Sequence, residues 1–271
     1  MGYTAQLVFW PDELVEALVG AGFRVIRYDN RDVGLSHKFD GVKVPHPIWQ
    51  LLVKRFRKNK QMAPYTLEDM AADAIGVLDA LEIEKAHIVG ASMGGMIAQI
   101  VGAKYPDRVL SLVPVMTSTN NPKLPGPDKE VRKMLWKSAR NRPDTPEEAV
   151  PATMDFFEAI AADTSPEHMA DVETLIRTSV ERSFYPEGPK RQMAAIIDSG
   201  DLRRFDEKIT APTLVIHGAD DPLIPAAGGE DVARNIKGAR YETIPGMGHD
   251  LPRNLLPQVT GLIVEHCRAH Q

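Results

Sequence analysis

The chain predicts an α/β fold, a mostly parallel sheet flanked by helices and interrupted by a helical insertion, and three observations carry that prediction. Helical and β-rich segments alternate as helix, strand, helix, strand, helix, strand up to residue 115. The alternation stops near residue 119, where proline-rich helical segments take over, and resumes after Ala211-Pro212. Glycine-bearing turns directly follow three of the strand segments, where parallel strands present loops at one edge of a sheet.

In order along the chain, Trp10-Pro11-Asp12-Glu13 opens a helix, with proline near its first turn and acids where the helix dipole favours them. Leu14, Leu18 and Val19 give it an apolar face, and Gly20 and Gly22 end it. Phe23–Tyr28 is short and β-rich and is expected to be a strand, followed by the polar turn Asp29–Ser36. Residues 37–65 are expected to be irregular, and the basic run Lys54–Lys60 within them is expected to be a solvated face; binding of an acidic ligand or membrane surface is the other reading. Thr66 is placed as the N-cap of a helix whose apolar positions, Leu67, Met70, Ala71, Ala74, Ile75, Leu78 and Leu81, recur at helical spacing. His87–Gly90 is a strand, Met96–Lys104 a helix and Val109–Val115 another apolar strand. Residues 119–208 are expected to form a helical cap. The core then comprises residues 1–118 and 209–271, closing with strand Thr213–His217, a helix around Glu230–Ile236, strand Arg240–Ile244 and a helix near 256–269.

Bulk properties narrow the function. The 271 residues are 43% hydrophobic and 25% charged with mean hydropathy −0.23, an ordinary globular composition. A net charge of −5 gives no reason to expect nucleic acid as a partner. No apolar run is long enough to span a bilayer, and no signal-peptide pattern opens the chain. Cys267 is the single cysteine, which excludes an internal disulfide and a cysteine-based metal site and fits a cytoplasmic location.

Gly90-Ala91-Ser92-Met93-Gly94 is a G-x-S-x-G sequence, entered from an apolar strand and left by a helical run. That context is a nucleophile elbow: the turn is so tight that residues two positions away from the serine must lack bulk. A serine hydroxyl needs a base to remove its proton and an acid to hold the base in one tautomer. Among the downstream histidines, His168 falls in the insertion, His217 at the end of an apolar strand as a core residue, and His266 and His270 in the last helix. His249, in the glycine-flanked loop Pro245–His249, is left as the base. Asp220 and Asp221 both qualify by position as the acid; Asp221, immediately before proline, is preferred over its neighbour and over the remote Asp128. The oxyanion donors are assigned to the backbone N–H of Met93 and, from the only loop upstream of the first helix, that of Tyr3.

Taken with Arg27–Ser36, Gly218–Pro222 and Gly246–His249 in their order, the elbow makes the sequence resemble the α/β-hydrolase superfamily over essentially its whole length. Within it the chain is similar to bacterial esterases of the aclacinomycin methylesterase type. The resemblance implies carboxylic-ester hydrolysis without metal or organic cofactor, with the Asp29–Ser36 turn bracing the loops around the site. It also implies three further strands before the first helix, one of them central, so that Met1-Gly2 corresponds to the end of that central strand. A chain that starts there is expected to compensate by rearranged strand pairing or by association with another copy of itself.

The expected activity is hydrolysis of small to medium apolar esters through a serine acyl-enzyme, with Met134, Met154, Met169 and Met193 as an adaptable pocket wall or as ordinary core. Lactonase, thioesterase, carbon–carbon hydrolase or perhydrolase chemistry on the same triad is the alternative among enzymes, and a catalytically silent ligand-binding protein is the alternative outside them. Haloalkane dehalogenases and epoxide hydrolases resemble this fold with aspartate at the elbow, where this chain has Ser92.

Overall fold

A computed structural model describes residues 1–56, 61–140 and 143–271. After a short turn at Leu7–Phe9 the elements run α1 (Asp12–Gly20), α2 (Pro47–Phe56), α3 (Leu67–Ala80), β1 (Ala86–Ala91), α4 (Met93–Lys104) and β2 (Val109–Val115). Five helices follow without a strand among the described residues: α5 (Lys129–Arg140), α6 (Pro146–Ile160), α7 (Pro166–Arg182), α8 (Gly188–Ser199) and the single turn α9 (Arg203–Asp206). The chain ends with β3 (Leu214–Gly218), α10 (Ala227–Asn235), β4 (Arg240–Ile244) and α11 (Leu256–Arg268).

The four strands are parallel and lie in the order β1-β2-β3-β4. Strand alternation sends Leu112 and Val215 to one face, against Met70 and Leu78 of α3, Ile97 and Ile100 of α4 and Val232 of α10. Val113, Leu214 and Ile216 point to the other, against Leu14 of α1 and Val259 and Ile263 of α11. Burial on both faces is what the near-continuous apolar runs of β2 and β3 specify. Parallel pairing also brings Ala91, Val115, Gly218 and Ile244 to one edge, where the loops that follow them meet.

The helix starts follow from local chemistry. Thr66 caps α3 in a reciprocal box: its hydroxyl accepts from the Asp69 N–H, while its own N–H donates to the Asp69 carboxylate at 2.7 Å. Thr145 and Ser165 cap α6 and α7, each with proline as the first helical residue.

Two expectations are corrected. Phe23–Tyr28 is not a strand in this sheet. A β-rich segment becomes a strand only where a neighbour supplies a hydrogen-bonding ladder, and the outer edge of β1 pairs with no strand among the described residues. Phe23 instead meets His87 of β1 edge to face, with ring centroids 5.7 Å apart. Residues 37–65 are not wholly irregular, because Pro47–Phe56 forms α2, whose inward face is polar: the buried Gln50 side chain donates to the Ala194 carbonyl at 3.2 Å. Lys54 of the basic run pairs with Asp198 at 3.1 Å, while residues 57–60 lie outside the described ones. No described helix is long and apolar enough to cross a membrane.

Asp206 is fully buried with no hydrogen-bond partner on either carboxylate oxygen. Burial, reinforced by the charges of Asp231 and Asp201, pushes it from 3.8 up to about 8. A carboxyl raised in the folded state loses stability for the fold as pH rises from its unfolded value toward its folded one. Asp206→Asn is therefore expected to raise the thermal midpoint by a few degrees at pH 8 to 9 and by little at pH 4 to 5, read by calorimetry across that range.

Candidate active site

The elbow places Ser92 in strained backbone. Between β1 and α4 it takes φ 55° and ψ −119°, a region that side-chain-bearing residues rarely occupy. The strain is held from β2: the Ser92 N–H donates to the Val115 carbonyl at 2.9 Å, and the Thr117 hydroxyl donates to the Ser92 carbonyl at 2.7 Å. A Cβ at Gly90 would overlap the Gly94 carbonyl, and one at Gly94 would stand 2.7 Å from the Met1 carbonyl, so both flanking glycines are required by close backbone approach. Helix α4 begins at Met93, three residues before the expected start, so its N-terminal dipole points at the serine.

The expected base and acid reach this serine from two other loops on the same sheet edge. His249 Nε2 lies 3.0 Å from Ser92 Oγ, and His249 Nδ1 lies 2.7 Å from Asp221 Oδ2. Asp221 Oδ1 accepts the N–H groups of Leu223 and Ile224 at 2.9 and 2.8 Å. Burial alone would push the Asp221 carboxyl up, but the adjoining His249 charge and hydrogen bonds from His217, His249 and Ile224 outweigh it and hold the group at about 2. Asp220, the other acid at this turn, points elsewhere and accepts the Gly246 N–H at 2.8 Å. The segment carrying Tyr3 also comes to the serine: a Cβ on Gly2 would lie 3.0 Å from Ser92 Cβ.

Above these residues is a cavity of about 1020 Å³, walled mainly by apolar groups including Phe9, Trp136, Phe156, Phe157 and Tyr185. Met193 lines it, whereas Met154 and Met169 are not among the lining residues and pack behind the wall, in a cluster with Val172 and Ile176, which do line it. The Asp29–Ser36 turn ties the loops together. Asp29 accepts the Leu7 and Leu35 N–H groups and pairs with Arg182 of α7 at 2.7 Å. Asp32 holds Arg191 of α8 through two 2.9 Å bonds and accepts from Tyr65 at 2.6 Å.

Two features were not legible in the sequence. His217 lies beside the acid, 3.4 Å from Asp221 Oδ2. His168 of α7 bonds Asp250, the neighbour of His249, at 2.6 Å in a buried contact. Partners 82 residues apart leave no local signal, and only the position of Asp250 next to His249 hinted at involvement. The helical segment grips the same loop through its backbone, since the His249 N–H donates to the Ile160 carbonyl at 2.9 Å.

The hydrogen bond to Asp250 raises the His168 pKa above its ordinary 6.5 despite burial. A histidine raised in the folded state contributes stability in full below its unfolded pKa and loses that contribution as pH rises through its folded one. The Tm difference between the unmodified protein and His168→Gln is expected to be largest near pH 5 and to shrink toward pH 9. A constant difference across that range would contradict the assignment.

Among the described residues no group of three or more His, Cys, Asp or Glu side chains is arranged to hold a metal ion. A family description of the alpha/beta hydrolase fold matches residues 2–252. Rhodomycin D methylesterase of Streptomyces peucetius is 28% identical, over 96% of this chain and 86% of that protein. A thermophilic esterase from Thermogutta terrifontis has a similar structure, with TM-score 0.72 and 26% identity over 100% of this chain and 88% of that one. An enol-lactonase from Burkholderia xenovorans LB400 gives TM-score 0.72 at 25% identity, covering 98% and 88% of the two chains.

Proposed function

The chain belongs to the α/β-hydrolase family, and from that premise we propose that it hydrolyses carboxylic esters through an acyl-enzyme on Ser92. The observation that carries the reading is the continuous hydrogen-bonded line from Ser92 Oγ through His249 to Asp221, opening into the apolar cavity.

In this mechanism Ser92 Oγ attacks the ester carbonyl while His249 Nε2 takes its proton, and Asp221 steadies the imidazolium through Nδ1. The carbonyl oxygen, now an oxyanion, is met by the N–H groups of Met93 and Tyr3. Met93 is the first residue of α4, where a helix leaves its N–H groups without intrahelical partners. Collapse expels the alcohol, protonated by His249; water then adds with His249 as base, and the free acid departs from Ser92.

Helices α5 to α9, within residues 119–208, serve in this reading as the cap that walls the substrate site, on a core of residues 1–118 and 209–271. The cavity volume exceeds what a small ester fills and supports a bulkier apolar substrate. Together with the similarity to rhodomycin D methylesterase, it favours a methyl ester of a large apolar acid. The lone Cys267, a buried thiol, supports a cytoplasmic setting, and the outer edge of β1, which pairs with no strand among the described residues, supports association between copies, which sedimentation would read as a dimer mass.

The test follows turnover of p-nitrophenyl butyrate and of methyl esters of polycyclic aromatic acids, alongside labelling by a fluorophosphonate, which bonds phosphorus to an activated serine oxygen and releases fluoride. Turnover with the label on the Ser92 peptide is expected. Labelling without ester turnover would transfer the reading to another acyl substrate such as a lactone or thioester. Neither label nor turnover in a folded protein would overturn the hydrolase reading and favour a silent binder.

A further inference from the structure

His217, the penultimate residue of β3, is fully buried, and the sequence gives it no role beyond filling the core. Its ring is placed differently from a packing residue. Nε2 lies 2.8 Å from the Ile224 carbonyl and 3.4 Å from Asp221 Oδ2. Nδ1 has no hydrogen-bond partner and faces Gly229, where a Cβ would stand 2.5 Å away. With an acceptor described only on the Nε2 side, the ring donates from Nε2.

That donor sits behind the turn that builds the acid. The Leu223 and Ile224 N–H groups hold Asp221 Oδ1, and the Ile224 carbonyl that completes the turn is held in its place by His217. The same N–H dipole faces Asp221 Oδ2, the oxygen that His249 uses. A buried ring nitrogen left unsatisfied carries a desolvation cost that a phenylalanine or leucine here would avoid. We infer that His217 is a positioning residue for the triad, fixing the Asp221 turn through the Ile224 carbonyl and tempering the carboxylate that orients His249.

This inference rests on the serine-hydrolase reading for its kinetic consequence but not for its structural one. The charged and titratable groups around the site are Asp221 and His249 themselves, Asp220 on the same turn, the His168–Asp250 pair on the far side of His249, and Tyr241 of β4 beside Gly229. Removing the His217 dipole leaves the Asp221 charge less compensated, so the hydrogen bond from His249 Nδ1 to Asp221 Oδ2 tightens.

The experiment compares the unmodified protein with His217→Phe, which keeps the ring and loses the donor, and His217→Gln, which restores an N–H at similar reach. One readout is the chemical shift of the low-field proton on His249 Nδ1 by NMR, which needs no turnover. In His217→Phe that resonance is expected to move downfield, because the Asp221 oxygen it bonds has lost its second donor. On ester substrates kcat is expected to fall about three- to tenfold, as for loss of one neutral hydrogen bond, with KM within twofold and the acid limb of the pH profile moved upward. His217→Gln is expected to recover most of both changes. If His217→Phe does not fold, Gly229→Ala displaces the ring from its Nδ1 side and is expected to move the resonance in the same sense. An unchanged His249 Nδ1 resonance in the folded variant overturns the inference, as does equal loss in Phe and Gln variants with an unmoved acid limb, the pattern of plain packing. Should the unmodified protein cleave no ester, the esterase reading fails by itself, and the resonance still decides the role of His217.

Discussion

Ser92→Ala is expected to lower ester turnover by about 10⁴-fold or more while leaving the fold intact. The hydroxyl is the group at the elbow that can form the acyl bond, and it lies 3.0 Å from His249 Nε2, within reach for proton transfer. Alanine fits the positive-φ backbone no worse than serine does, and the bonds that hold the turn, from the Ser92 N–H to Val115 and from Thr117 to the Ser92 carbonyl, use main-chain atoms that the substitution keeps. Stability should therefore change by less than about 1 kcal/mol. Parallel measurement of kcat/KM and of the melting midpoint checks both halves. Equal turnover by the two proteins would remove Ser92 from the mechanism.

Asp221→Asn is expected to cost about 10³- to 10⁴-fold in kcat with little change in KM, and Asp220→Asn less than about threefold. The two acids are adjacent in sequence, yet their carboxylates face different partners. Asp221 accepts from His249 Nδ1 at 2.7 Å, whereas Asp220 accepts only a backbone N–H, that of Gly246, among the contacts described. An asparagine at 221 can offer its amide N–H to Nδ1, which then becomes the acceptor and moves the imidazole proton to Nε2, the nitrogen that must be a base. The change also removes a carboxyl held at about 2, whose contribution to stability is present above the ordinary 3.8 and lost as pH falls toward the folded value. The Asn variant is therefore expected to be less stable at neutral pH, with the difference narrowing below pH 4. Steady-state kinetics of the pair at one pH separates the two acids.

What the sequence made legible was local chemistry and its order. The elbow, the glycine-flanked His249 and the acid after β3 are each specified within a few residues, and strict chain order links them. The parallel sheet was legible because β2 and β3 are apolar on both faces, as strands covered on both sides must be. Phe23–Tyr28 was misjudged because strand identity depends on a partner in space, which composition does not contain. Helix α2 was hidden for the opposite reason. Its large apolar residues Ile48, Leu51, Leu52 and Phe56 are exposed while Gln50 is buried, so its pattern is inverted relative to a helix on a core. His217 and the His168–Asp250 pair depend on contacts between distant elements, and no spacing rule reaches them.

The clasp between the helical segment and the histidine loop has a consequence for how such proteins can diversify. The His249 N–H is received by Ile160, the last residue of α6, and a Cβ at Gly248 would stand 2.5 Å from the Ala162 nitrogen. On the proposed mechanism, substrate wall and general base are thus not separable modules. A chimera that imports a foreign helical insertion must import, at the position of Ile160, a carbonyl aimed at the same amide, and must leave the glycine its clearance. An exchange bounded by the loops before α5 and after α8 would part Ile160 and His168 from His249 and Asp250, whereas one that runs from before α5 through Asp250 would carry both contacts across intact.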